Sequence, residues 1–163
     1  MLSESSSSRG APADDACANL GWREWLALPA LGIPAIKAKL DTGARSSALH
    51  VETIETFHRD GVLHVRFLVR PRRRGKRAYE CSAPVSDRRL VTDSGGHRSE
   101  RWFIRTEIAL AGRSFGTEIN LTDRRAMLFP LLLGRTTLAG RFRVDPALSH
   151  TCPRPARTGH RQP

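Results

Sequence analysis

A carboxylate that activates water has to be presented from a rigid support, and Asp41 is placed to be one. The segment Ala38-Lys39-Leu40-Asp41-Thr42-Gly43-Ala44 carries a strand-like alternation into Asp-Thr-Gly and on to a small residue. Asp, Thr and Gly are also ordinary turn residues, so the triplet alone equally describes a turn closing a strand. A second segment, Leu131-Leu132-Leu133-Gly134-Arg135-Thr136-Thr137-Leu138, ends a buried-type apolar run in Gly-Arg. By itself it reads as a core strand followed by a glycine turn. Other chemistries lack their residues. The histidines at 50, 58, 64, 97, 150 and 160 are scattered, and none opens the H-E-x-x-H of a zinc peptidase. No G-x-x-x-x-G-K-[ST] loop is present to cradle a nucleotide. Cys17, Cys81 and Cys152 are too far apart for a C-x-x-C site and odd in number for a disulfide framework. No metal and no cofactor is therefore expected, and a reducing, cytoplasmic setting is.

Strands must carry these residues. Ile36, Ala38 and Leu40 alternate with Lys37 and Lys39, the period of a strand with one wet face. Leu63, Val65, Phe67 and Val69 alternate with His64, Arg66 and Leu68. Trp102, Ile104 and Ile108 share one face, opposite Arg101, Phe103, Arg105 and Glu107. Phe115, Thr117, Ile119 and Leu121 repeat the pattern after an Ala111-Gly112 turn that closes a hairpin. Only Thr136–Phe142 reads as a short helix, following a glycine rather than a strong cap. An all-β barrel or sandwich is the expected class.

The chain has 163 residues, enough for one domain with tails. Residues 1–20 are Ser-rich and polar and read as a disordered leader, without the apolar stretch of a secretory signal. The folded domain is expected over 21–150, and 151–163 reads as a disordered basic tail. No apolar run is long enough to cross a membrane as a helix. The net charge of +11 is unevenly placed, because residues 66–105 carry 12 basic and 4 acidic side chains, net +8. No nucleic-acid-binding motif accompanies those cations, so a specific nucleic-acid partner is not expected. Arg70–Arg77 (RPRRRGKR) reads either as a solvated hairpin tip or as an anion-binding segment.

Gly21-Trp22-Arg23-Glu24-Trp25, the block from Ile36 through Asp41-Thr42-Gly43-Ala44-Arg45-Ser46-Ser47-Ala48-Leu49 to His50, and Leu132-Leu133-Gly134-Arg135 together resemble the retropepsin-like aspartic peptidases. The resemblance is to the bacterial branch labelled ATP-dependent zinc protease, which is associated with ATP-grasp glutamate ligases of the ribosomal-protein-modifying type. It spans about residues 21–150.

The resemblance implies a closed β-barrel acting as a homodimer, because one chain has a single Asp-Thr-Gly and the aspartic mechanism needs two carboxylates. Asp41 would be the catalytic group, Thr42 would tie the two loops together, and Gly43 would let substrate backbone approach. Ala44, Gly134 and Arg135 would support the loop. A flap is also implied, with the hairpin tip Asp93-Ser94-Gly95-Gly96-His97 as its candidate and Arg70–Arg77 as the competing hairpin. An ordinary hairpin turn fits those same letters. In viral retropepsins an acid shortly after Asp-Thr-Gly-Ala pairs with the late arginine. Here that position is Arg45, which leaves Arg135 without a carboxylate and sets two cations near the site. The expected substrate is a peptide or protein, acidic or glutamate-tailed, with an ATP-grasp ligase as partner. A catalytically silent module that docks acidic peptides or the ligase is the alternative.

Overall fold

The computed structural model describes residues 18–72, 74–123 and 128–156. Their order is β1 (Ala18–Gly21), β2 (Arg23–Leu28), a 3-10 turn (Pro29–Leu31), β3 (Ile33–Leu40), β4 (Ser47–His50), β5 (Ile54–Arg59) and β6 (Val62–Val69). There follow β7 (Tyr79–Thr92), β8 (Arg98–Leu110), β9 (Arg113–Thr122), β10 (Leu131–Leu133), α1 (Arg135–Leu138) and β11 (Phe142–Asp145). The chain is all-β with one short helix among the described residues. Among the described residues no helix is long and apolar enough to cross a membrane.

The main sheet runs β2-β3-β10-β4-β9-β8-β7-β6-β5, and Ala27 of β2 also pairs with Ala109 of β8. That last pairing closes β2, β3, β10, β4, β9 and β8 into a ring. Its inside is apolar: Leu26, Leu28, Ile33, Ile36, Leu49, Ile104, Ile108, Ile119 and Leu121 are almost fully buried. The alternation seen in the sequence is the mark of strands with one face on this core. One tight turn needs left-handed backbone at both its residues, Ala111 (φ 53°) and Gly112 (φ 73°), and it joins β8 to β9 as expected.

Three expectations are corrected. The helix read over Thr136–Phe142 is a single turn ending at Leu138; Ala139 is extended, Gly140 is left-handed (φ 77°), and Phe142 opens a strand. The leader read over 1–20 ends in structure, since Ala18–Gly21 pairs in parallel with Phe142–Asp145 and Leu20 is buried. Its first 17 residues lie outside the described ones. The tail read from 151 begins anchored: the Thr151 N–H and hydroxyl and the Cys152 N–H all donate to the Glu24 carboxylate, which is fully buried. Residues 157–163 lie outside the described ones.

Candidate active site

β10 is inserted between β3 and β4, parallel to the first (Leu131↔Ala38, Leu133↔Leu40) and antiparallel to the second (Leu131↔Leu49). The loop joining β3 to β4, residues 41–46, must therefore pass across the end of β10. Asp41 stands where that crossing begins. Its N–H donates to the Leu133 carbonyl at 2.8 Å, and its Oδ1 accepts the Gly43 N–H at 2.9 Å. The far side is held in the same way, because the Arg135 and Thr136 N–H groups donate to the carbonyls of Ala44 and Arg45 at 2.8 and 3.0 Å. Gly134 is required by space rather than by its dihedral angles. A Cβ there would lie 2.6 Å from the Ser46 carbonyl oxygen.

Arg135 does not lack partners. Its guanidinium donates to the carbonyls of Thr42 (3.1 Å) and Gly43 (3.0 Å), so main-chain oxygens replace the absent carboxylate. Beneath the loop lies a row of buried hydroxyls that the sequence reading missed. Ser47 Oγ accepts the Gly134 N–H at 3.0 Å and lies 2.6 Å from Thr137 Oγ1, which lies 2.8 Å from Thr117 Oγ1. Ser47 and Thr137 are fully buried and Thr117 nearly so. From the Ser47 carbonyl a further chain runs outward. Asn120 Nδ2 donates to it at 2.9 Å, and Arg101 Nη1 donates to Asn120 Oδ1 at 3.1 Å.

Asp41 opens into a cavity of about 1070 Å³ whose lining includes Arg45, Arg89, Leu90, Arg101, Phe103 and Arg135. Gly43, Ala44 and Ser94 also line it, which puts the β7–β8 hairpin over the Asp-Thr-Gly loop. Gly95, Gly96 and His97 complete the hairpin tip without lining the cavity. Asp93 organises that tip: its Oδ1 accepts the Gly95 and His97 N–H groups at 2.9 and 3.0 Å, and Gly96 is left-handed (φ 83°). The Arg70–Arg77 segment lines a different groove. Thr42 is exposed on its loop. Arg101 and Phe103 point into the cavity and are buried, whereas Arg105 and Glu107 on the same side of β8 are exposed. An aromatic residue among charges on one face was the available signal.

At the hairpin base Arg89 is fixed by two acids, Asp87 Oδ2 and Glu118 Oε1, and its guanidinium lies 4.1 Å from the Phe103 ring centroid. The side-chain bond from Arg89, then the Arg88 N–H, holds the Asp87 carboxyl below its ordinary pKa, and the bonds to Asp87 and then Glu118 raise that of Arg89. Among the described residues no group of three His, Cys, Asp or Glu side chains could hold a metal ion.

The chain matches the RimB-like family, described as "Retropepsin-like aspartic endopeptidase RimB", over residues 19–155. It is 43% identical over 130 residues to a Desulfotalea psychrophila protein named "Probable alpha-L-glutamate ligase", covering 79% of this chain and 28% of that protein. A protein of the same name from Shewanella pealeana is 39% identical over 131 residues, with coverage of 80% and 29%. The chain thus spans less than a third of the length of these curated relatives. The crystal structure of a Legionella pneumophila protein of unknown function matches it with a TM-score of 0.72 at 29% identity, over 83% of this chain and 98% of that one. Asp-Thr-Gly at the mouth of a ring of strands, the late Gly-Arg that braces it, and the match over 19–155 lead to one assignment: the chain belongs to the RimB-like family of retropepsin-like aspartic endopeptidases.

Proposed function

We propose that the chain is one half of an aspartic endopeptidase: a closed β-barrel that pairs with a second copy, so that two Asp41 carboxylates face each other across a two-fold axis. The observation that carries this reading is the way Asp41 is presented, fixed by backbone bonds at the mouth of a cavity and overhung by a hairpin. Two carboxylates so close share one proton, the logic for which aspartic proteases are themselves the standard case. The ionised member takes a proton from the attacking water while the protonated one donates to the peptide carbonyl oxygen. Collapse of the tetrahedral intermediate then expels the amine, which leaves with a proton. Thr42 ties the two loops across the axis, Gly43 leaves room for substrate backbone, and the β7–β8 hairpin closes as the flap and excludes water.

The cavity favours acidic peptides. Arg45 has no acidic partner among the described residues, and Arg101 and Arg135 share the cavity with it. Guanidinium groups suit bidentate carboxylate recognition. The names of the relatives support a working association with an ATP-grasp glutamate ligase, and a glutamate-tailed polypeptide as substrate. Two free thiols, Cys81 and Cys152, accord with a cytoplasmic setting.

The test is hydrolysis of acidic, neutral and basic peptides by the purified protein and by Asp41→Asn, a nearly isosteric change. Loss of cleavage with an unchanged melting temperature is expected, together with a dimer by light scattering. Unchanged cleavage in the variant, or monomer throughout the micromolar range, would overturn the dyad. Acidic-peptide binding without cleavage in either protein would leave a silent docking module.

A further inference from the structure

The +8 excess in residues 66–105 is not spent on the cleft alone. The loop between β6 and β7 is held in shape by Arg70, which donates to both oxygens of Glu52 (2.8 and 3.3 Å) and to the carbonyls of Gly75 and Lys76. With Arg70 so engaged, Arg72, Lys76 and Arg77 remain exposed and have no acidic partner among the described residues. They line a groove of about 530 Å³ together with Tyr79, and Arg154 joins them from the far end of the chain. The Arg154 guanidinium rests 4.6 Å from the Trp25 ring centroid, so it is held over the groove rather than free to swing away. Among the described residues no Asp or Glu lines this groove. It lies at the opposite end of β3 from Asp41, since Pro34 and Ala35 belong to its lining. At the rise of a strand that is roughly 20 Å away.

Four cations from two distant stretches of sequence, converging with no carboxylate of the described residues among them, form a receptor for negative charge. A single-stranded nucleic acid would need an open aromatic face on which to stack. Trp25 is covered by Arg154 and approached by Lys37, whose Nζ is 5.2 Å from the ring centroid, and Tyr79 packs against the core. A groove of this size does not seat a duplex. We propose that it is a second anion-binding site, which docks an extended acidic stretch of polypeptide away from Asp41. This goes beyond the proposed hydrolysis and does not rest on it.

The whole described chain carrying Asp41→Asn serves as the test background, so that hydrolysis by the proposed dyad does not consume the probe. A fluorescent peptide alternating Asp with Ser is titrated at low salt and followed by anisotropy. Lys76→Gln/Arg77→Gln should weaken binding at least about fivefold, the scale of two exposed charge pairs. Arg154→Gln, on the other wall, should weaken it in the same direction. Arg59→Gln/Arg143→Gln removes two exposed cations elsewhere and should change it by less than about twofold. Equal losses in groove and control variants would overturn the site and leave net charge only. So would a loss confined to Arg45→Gln, which would put all binding in the cleft. Tighter binding of a charge-matched single-stranded RNA through the same residues would overturn the ligand class.

Discussion

The loop that carries Asp41 and the hairpin that overhangs it are built by opposite means. The loop is fastened by main-chain hydrogen bonds on both flanks and rests on buried hydroxyls. The hairpin is fastened at its base by exposed ion pairs, and Leu90, next to Arg89 on β7, is 58% exposed. Buried hydrogen bonds are costly to break because each leaves an unsatisfied group in a low dielectric. Exposed ion pairs are exchanged with water and salt at little cost. The contrast is between a part whose movement breaks buried bonds and a part whose movement costs little.

The strongest way to break the contrast is at Gly134. An added methyl would meet the Ser46 carbonyl oxygen at 2.6 Å and the Arg45 carbonyl carbon at 2.9 Å, both main chain and both part of the crossing loop. Gly134→Ala should cost about 3 kcal/mol or more and lower the yield of folded protein, as overpacking against backbone does. A denaturation midpoint equal to wild type would show that the loop can give way, and the contrast with the hairpin would be lost.

Next in size is Ser47→Ala, which orphans the Gly134 N–H and removes one partner of Thr137. A loss of about 1–3 kcal/mol is expected for a buried donor left unpaired. Thr117→Val touches the same row from its other end, so the double variant should lose less than the sum of the singles. Additive losses in denaturant melts would mean that the hydroxyls do not act as one unit.

What the sequence disclosed follows the same division. Strands with one face on the core show a period-two pattern, which was readable at Ile36–Leu40, Leu63–Val69 and Phe115–Leu121. β8 was read only in part, because Arg101 and Phe103 face a cavity rather than solvent and the alternation does not say which. β1 escaped notice because its parallel partner, β11, lies more than a hundred residues along the chain and four residues give no period. Asp41, Gly134 and Arg135 stood out by motif. Their fastening did not, since the partners of Arg135 are main-chain carbonyls and that of the Gly134 N–H is the Ser47 hydroxyl, which looks like an ordinary polar residue in a list of letters.

The hairpin should respond more weakly. Arg89→Met keeps an aliphatic stem over Phe103 while removing the ties to Asp87 and Glu118. The ion pairs are exposed, so the global loss should stay within about 1 kcal/mol. Amides of residues 86–106 should nonetheless exchange faster with deuterium, while those of β3 and β10 hold their rates. Uniform acceleration across the ring would tie the hairpin to the core and remove the distinction.

The smallest effect is expected at His150, which tests whether a contact outside the loop and the hairpin shares the loop's sensitivity. Burial, then the charges of Lys37 and Arg23, pull its pKa below the ordinary 6.5, with Glu24 opposing them, and its Nδ1 is buried without a partner. Trp25 lies alongside, its ring centroid 6.4 Å from that of the imidazole. Because the folded form resists protonation, the unfolded chain binds more protons once the pH drops below about 6.5. Stability contributed by the neutral ring is therefore fully present above that pH and declines as the pH falls toward the depressed folded value. His150→Gln removes this dependence while keeping a polar side chain of similar reach. The difference between wild-type and variant melting temperatures should be constant above pH 6.5 and should shift in favour of the variant below it. Parallel profiles down to pH 5 would show that the imidazole titrates as it does in the unfolded chain, and that its packing against Trp25 does not exclude the charged form.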